Sequence, residues 1–296
     1  MSKLFLAAAV GWTVGAGSLF AVTISVPNAS FELPVVPYAA PAIDSWQKSP
    51  KPDWYVEGGG FTWEQLTGTF KNTATNSPDH IDNCDGSQAL WLFALPEVAL
   101  FQDESSTAAF AAKFEVGKAY QLTVGVIGGG GGMAPEVTLE LSLYYRDAAS
   151  NRVTVAATAI TNSLDRFPTN THFIDFTVSV PTVQAGDAWA GQNLGIRLLS
   201  TVSTNLEGGY WDLDNVQLSS FMTPVLLSPV WTNGQFSCLL QSEPGRAFEM
   251  LASTNPALPV VNWINLGTLT NATGTIPFID TFANFDQRFY RARQLP

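Results

Sequence analysis

The sequence predicts an all-β chain: a jelly-roll β-sandwich followed by a small β-sandwich domain. Three observations carry that expectation. Apolar residues alternate with polar ones at period two along most of the chain, which is the pattern of half-buried strands. The runs are bounded by Gly, Pro, Asn or Asp, and no segment of ten or more residues after residue 22 repeats at 3.6. Two acidic patches bracket the larger domain, Asn28-Ala29-Ser30-Phe31-Glu32 near its start and Trp211-Asp212-Leu213-Asp214-Asn215-Val216 near its end. A jelly roll brings its first and last strands together. Carboxylates and amide oxygens would then meet, as a hard cation such as Ca²⁺ requires.

The elements follow in chain order. Residues 1–21 read as a signal peptide: Lys3, an apolar stretch from Leu4 to Val14, then small residues with cleavage after Ala21, or alternatively after Ser18. The mature product is therefore expected outside the cytoplasm of a bacterium, secreted or periplasmic, with no membrane span. Residues 22–221 form the jelly roll. Its strand faces are Tyr120, Leu122, Val124 and Val126; Val137, Leu139, Leu141, Leu143 and Tyr145; Ile174, Phe176, Val178 and Val180; and Leu194, Ile196 and Leu198. Residues 34–80 are different, because Pro34, Pro37, Pro41, Pro50 and Pro52 interrupt strands. This stretch also holds Tyr38, Trp46, Trp54, Tyr55, Phe61 and Trp63, and reads as long loops over the sandwich. Trp91 and Trp211 lie inside strand patterns and are expected in the core. Gly128–Gly132 reads as a flexible hairpin connection, since neither a Lys-Ser/Thr nor a helix follows it. A boundary near Met222-Thr223-Pro224 leaves residues 224–296 as the second domain.

Composition excludes some functions. The 296 residues carry a formal charge of −11 and only 13% charged side chains. Nucleic acids and anionic membrane surfaces need clustered Lys and Arg and are disfavoured. Cys84 and Cys238 fall in different domains and are expected to stay unpaired. His80 and His172 lack a nucleophile elbow or a second ligand at metal spacing.

An ordered set of short motifs then points to a family. It runs Asn28-Ala29-Ser30-Phe31-Glu32, a Trp-bearing loop, Asp85-Gly86-Ser87-Gln88-Ala89, Phe101-Gln102, Gly117-Lys118-Ala119-Tyr120-Gln121-Leu122 and Asp214-Asn215-Val216. The set resembles the jelly-roll carbohydrate-binding-module superfamily, and in order and spacing the domain of the Stig cyclases, which make indole alkaloids. The resemblance covers roughly residues 22–220. It implies a structural calcium held by Glu32 and Asp214, with Asn28 a further ligand. The C-terminal segment resembles a small accessory β-domain of secreted bacterial proteins, through Gly245-Arg246-Ala247-Phe248-Glu249, Ala252-Ser253-Thr254-Asn255, Trp263, Asp280 and Arg288-Phe289-Tyr290-Arg291.

These features support three functions. The leading one is a non-catalytic protein that binds a carbohydrate or a small organic ligand by stacking on Trp46, Trp54, Phe61 and Trp63. The second is a Stig cyclase-like enzyme that uses Asp212 or Asp214 as general acid. The third is a structural component of an extracellular matrix.

Overall fold

A computed structural model describes residues 21–295, apart from 59, 106–109, 282–284 and 286. The segment expected to be a signal peptide, residues 1–21, therefore lies outside the described residues, except for Ala21. The chain divides into two compact units, and the division falls after Ser220.

The first unit contains strands β1 (Val22–Ile24), β2 (Ala39–Ala40), β3 (Gln47–Lys48), β4 (Thr67–Lys71), β5 (Gln88–Phe93), β6 (Ala99–Gln102), β7 (Lys118–Gly130), β8 (Thr138–Arg146), β9 (Arg152–Thr161), β10 (Ile174–Val180), β11 (Gly195–Ser200) and β12 (Tyr210–Met222). They form a seven-stranded sheet, in the order β10-β7-β12-β5-β4-β2 with β1 also on β12, and a five-stranded sheet, β3-β6-β11-β8-β9. One 3-10 turn, Trp63–Leu66, enters β4. Val22 pairs with Ser220, so the first strand after the proposed cleavage point lies on the last strand of the unit.

The alternating residues read from sequence face inward. Leu122, Val124, Val126, Leu139, Leu141, Leu143, Leu194, Ile196 and Leu198 are all buried in one core, with Trp211 at its centre. Trp211 is fully buried, and truncating such a residue costs about 3–5 kcal/mol. Tyr145 departs from the expectation. The β8–β9 register shifts at Leu143/Tyr144, so Tyr144 is fully buried and Tyr145 only partly.

Strand β12 sets up everything that follows. Trp211 and Leu213 point into the core, and then Val216 and Leu218 do. The inward set moves from odd to even positions because Asn215 adopts a left-handed φ of 54°, the mark of a bulge. Val216 N–H donates to Ala29 O at 3.0 Å, which ties this bulge to the N-terminal turn.

The second unit has β13 (Val225–Thr232), β14 (Gln235–Gln241), β15 (Arg246–Ser253), β16 (Ile264–Asn271), β17 (Thr275–Asp280) and β18 (Phe289–Gln294). They form two three-stranded sheets, β13-β14-β17 and β16-β15-β18, around Cys238, Leu240, Phe248, Met250 and Phe278. Both cysteines are free thiols. Among the described residues no helix is long and apolar enough to cross a membrane.

Candidate active-site cavity

The seven-stranded sheet has a second face, turned away from the core. On β12 the residues that alternate with Trp211 and Leu213 are Tyr210 and Asp212. Asp212 pairs with Trp91 of β5, and Trp91 pairs with Gly68 of β4. Tyr210 pairs with Phe93. A row of aromatic rings thus flanks a carboxyl group. The rings of Phe61 and Phe93 lie 5.0 Å apart, and those of Phe93 and Tyr210 6.1 Å. Together with Ala39, Ala40, Pro41, Gln65 and Phe70 these residues line a cavity of about 430 Å³.

Two glycines shape this wall. A Cβ on Gly68 would collide with the Trp91 indole and with Ala40 O, so only glycine lets that ring lie across β4. A Cβ on Gly130 would collide with the Tyr210 ring. The glycine run is therefore more than the hairpin connection read from sequence. Strand β7 continues through Gly130, and its bare backbone is the surface on which Tyr210 rests.

Asp212 is the distinctive group. Its side chain is partly buried, and among the described residues nothing hydrogen-bonds or ion-pairs with it. Among the described residues no Lys, Arg or His lines the cavity. Loss of hydration without a compensating partner favours the neutral acid, and burial pushes the Asp212 carboxyl up to about 8. The Tyr210 phenol is also raised, first by burial and then by the charges of Asp212 and Asp79.

Asp214 occupies a different environment, although it lies only two residues on. Its Oδ2 accepts from Asp85 N–H and its Oδ1 from Asn215 N–H, both at 2.7 Å. Burial still pushes it up to about 7, against those hydrogen bonds. Glu32 reaches the same 84–88 turn. Its Oε1 accepts from Ser87 N–H at 2.8 Å and Gln88 N–H at 2.7 Å, and its Oε2 from Ser87 Oγ at 2.9 Å. Gly86, with φ of 95°, sits so near Glu32 that a Cβ there would lie 2.6 Å from the carboxyl. Asp85 accepts from Ser30 Oγ at 2.5 Å.

The structure thus brings Glu32 and Asp214 to one turn, with Asp85 between them. Asn28 does not join them. Its Nδ2 donates to Leu33 O and Asp44 O, and its Oδ1 accepts from Leu33 N–H. Among the described residues no group of three or more His, Cys, Asp or Glu stands as a ready metal cage. The donors are nevertheless hard oxygens. Asp214 accepts a backbone hydrogen bond on each oxygen and a further one from the Cys84 thiol, so three of the roughly four lone-pair sites of its carboxylate are taken and one is left for a cation of the Ca²⁺ type.

The aromatic candidates separate as well. Phe61 lines the cavity and is 54% exposed. Trp54 is also exposed but lies outside the lining; its Nε1 donates to Glu97 Oε1 at 3.1 Å. Trp46 and Trp63 are core residues and do not stand on the loop surface. Trp46 packs on Phe31 and donates to Asn28 O at 3.1 Å, and Trp63 donates to Ser49 O at 2.7 Å. A buried indole keeps its place when its N–H finds an acceptor, and both loops supply a backbone carbonyl.

Trp91, expected in the core, instead faces the cavity, and Phe70, Phe93 and Tyr210 are further lining residues that periodicity alone did not single out. A signal was present. Leu90 and Leu92 alternate with Trp91 and Phe93, so β5 is apolar on both faces. One face of an outer sheet needs only polar cover, and a second apolar face implies something to enclose.

The family model described as HpiC1 cyclase, of the HpiC1-like family, matches residues 22–219. No curated protein matches the chain. A cyclase from Fischerella sp. TAU is 22% identical over 70% of this chain and 100% of its own, with a TM-score of 0.53. The Stig cyclase Fisc from the same organism, in complex with (3Z)-3-(1-methyl-2-pyrrolidinylidene)-3H-indole, is 23% identical over 69% of this chain and 100% of its own, with a TM-score of 0.51. A Fischerella sp. TAU cyclase in complex with 4-(1H-indol-3-yl)butan-2-one gives 22%, 69%, 100% and 0.50. At such identities the likeness to the solved structures is one of fold. The family match spans the first unit almost from end to end, and by it this chain belongs to the HpiC1-like cyclase family.

Proposed function

We propose that the first unit is a Stig-type cyclase in which Asp212 donates a proton to a small, flat, largely apolar substrate of indole size. One observation carries this reading: among the described residues, the Asp212 carboxyl has no partner and faces an aromatic cavity lined by no cationic side chain. The cavity of about 430 Å³ falls in the range of small-molecule sites, about 300–1,000 Å³. The indole compounds bound to the Fischerella proteins support the substrate class.

The chemistry balances without a cofactor. The Asp212 O–H bond breaks and a new bond to hydrogen forms on a substrate double bond or imine. The cation so formed faces Trp91 and Phe93, whose rings stabilise positive charge by about 0.5–2 kcal/mol each. Electrons from a neighbouring π bond close the ring, and a ring proton returns to the Asp212 carboxylate. The product is an isomer of the substrate. General acid catalysis of this kind contributes about 10²–10⁴-fold. Asp212→Asn should therefore abolish turnover of an indole-bearing alkene or imine while still binding 4-(1H-indol-3-yl)butan-2-one. Full turnover by that variant would remove Asp212 from the chemistry.

The same observations weigh against the carbohydrate-binding reading, because Trp46 and Trp63 are buried and Trp54 stands outside the cavity. A flat surface would have favoured a matrix component, and the cavity speaks for a ligand instead. We retain two parts of the sequence reading as proposals. Ca²⁺ at Glu32 and Asp214 is supported by their meeting on one turn. Export through residues 1–21 is supported by a strand that starts at Val22.

A further inference from the structure

Part of the cavity wall, beyond β5 from β12, is built from short pieces of chain with little regular structure. Strand β2 has two residues and the 3-10 turn four. Yet Pro41, Phe61 and Gln65 from these pieces line the cavity. Lys48 holds them. It lies on β3, an edge strand of the five-stranded sheet, and reaches across to the β4-β2 edge of the seven-stranded sheet. Its Nζ donates to Pro41 O at 2.6 Å, to Thr67 O at 2.8 Å and to Glu64 O. An ammonium has three N–H donors, and each one ends on a backbone carbonyl, that of the lining residue Pro41 and those of Glu64 and Thr67 on either side of Gln65 and Leu66.

The location of the charge is informative. The Lys48 side chain is 13% exposed, and burial lowers its affinity for a proton despite the Glu64 carboxylate at 3.3 Å. A buried ammonium is retained only where it is fully hydrogen-bonded. Glu64 itself is 74% exposed, so its ion pair is a weak surface contact. The three carbonyls are the stronger partners. They belong to β2's exit, the 3-10 turn and the first residue of β4, one before the Gly68 that seats Trp91.

We propose that Lys48 is a positioning residue for the substrate cavity, pinning segments 39–42 and 61–67 so that Pro41, Phe61 and Gln65 stay against Trp91. The inference rests on this cavity being the substrate site. Catalytic geometry is lost through displacements of about 1 Å at a distance, with costs up to about 10²-fold, so a side chain that ties three separate pieces of chain beside the cavity is a point of control.

The test uses the full chain with Lys48→Met, Lys48→Arg, Glu64→Gln and Arg197→Met. The last removes an ion pair with Glu140 on the five-stranded sheet and serves as a control for general loss of stability. Lys48→Met should speed amide hydrogen exchange in 39–42 and 61–67 by about tenfold or more, with β8 and β11 unchanged. It should weaken binding of 4-(1H-indol-3-yl)butan-2-one by about tenfold. Lys48→Arg, which keeps several donors, should restore part of both effects, and Glu64→Gln should change neither by much. Uniformly faster exchange in Lys48→Met, or the same local pattern in Arg197→Met, would overturn the proposal. Trp91→Ala and Phe61→Ala separate the two readings. If they leave probe binding intact, or if the wild type does not bind the probe, the cavity assignment loses its support and exchange alone decides the role of Lys48 in the wall. If they weaken binding and Lys48→Met does not, the Lys48 proposal fails alone.

Discussion

Replacing Asp212 by Asn should make the protein more stable, and increasingly so as pH rises. The carboxyl titrates near 8 in the folded state and near 3.9 in an unfolded chain. A folded-state value raised in this way gives a contribution fully present below about pH 4 and lost as pH rises through 8. Each unit is worth about 1.36 kcal/mol. Asn is neutral at every pH and keeps the shape. Its advantage should be near zero at pH 4, about 4 kcal/mol at pH 7 and about 5 kcal/mol at pH 9. Asp214 titrates near 7, but it is present in both proteins and cancels in the difference. The assay is urea unfolding at several pH values, followed by tryptophan fluorescence with Trp231 and Trp263 of the second unit replaced by Phe, so that the signal comes from the tryptophans of the first unit. A difference that stays flat from pH 4 to 9 would refute the reasoning. So would an Asn variant less stable than wild type at pH 8. Either result would mean that the carboxyl has a partner or a water path that keeps it ionised.

Further outcomes can be measured separately. Removing Ca²⁺ with a chelator should lower the melting temperature of the first unit and leave the second unchanged; saturation at a hundred times Kd is worth about 2.7 kcal/mol, and Glu32→Gln should abolish the response. An unchanged melting curve on chelation would leave Glu32 as a clamp on the 86–88 turn. Gly68→Ala should cost about 1–3 kcal/mol by overpacking and should expel the Trp91 ring into the cavity, seen as lost probe binding. Gly130→Ala should displace Tyr210 in the same way, whereas Gly132→Ala, where a Cβ meets no neighbour, should leave binding intact and show only the strain of its positive φ. N-terminal sequencing of the exported protein should begin at Val22, and retention of residues 1–21 would end the signal-peptide reading.

Much of the fold was legible because burial in a sandwich follows period two. Leu122-x-Val124-x-Val126 and Leu139-x-Leu141-x-Leu143 could face one core only as strands, and so they do. The approach of the two acidic patches was also legible, since a jelly roll must bring its first and last strands side by side, but the 84–88 turn that receives both carboxyls was not. Asn28 was not, because an amide can serve a cation or its own backbone equally well, and only the path of residues 28–44 decides which. Trp46 and Trp63 carry the same composition signal as Phe61, and whether a loop tryptophan points in or out depends on which backbone carbonyl comes within reach of its N–H. The cavity belongs wholly to the tertiary structure. It requires β12, β5 and β4 to stand side by side so that Asp212, Trp91 and Gly68 form one row, with no partner reaching the Asp212 carboxyl among the described residues. Local sequence determines which residues alternate. What a carboxylate meets on the second face of a sheet is decided by strands far apart in the chain, and that meeting, through burial, raises the Asp212 carboxyl above the ordinary carboxylate range.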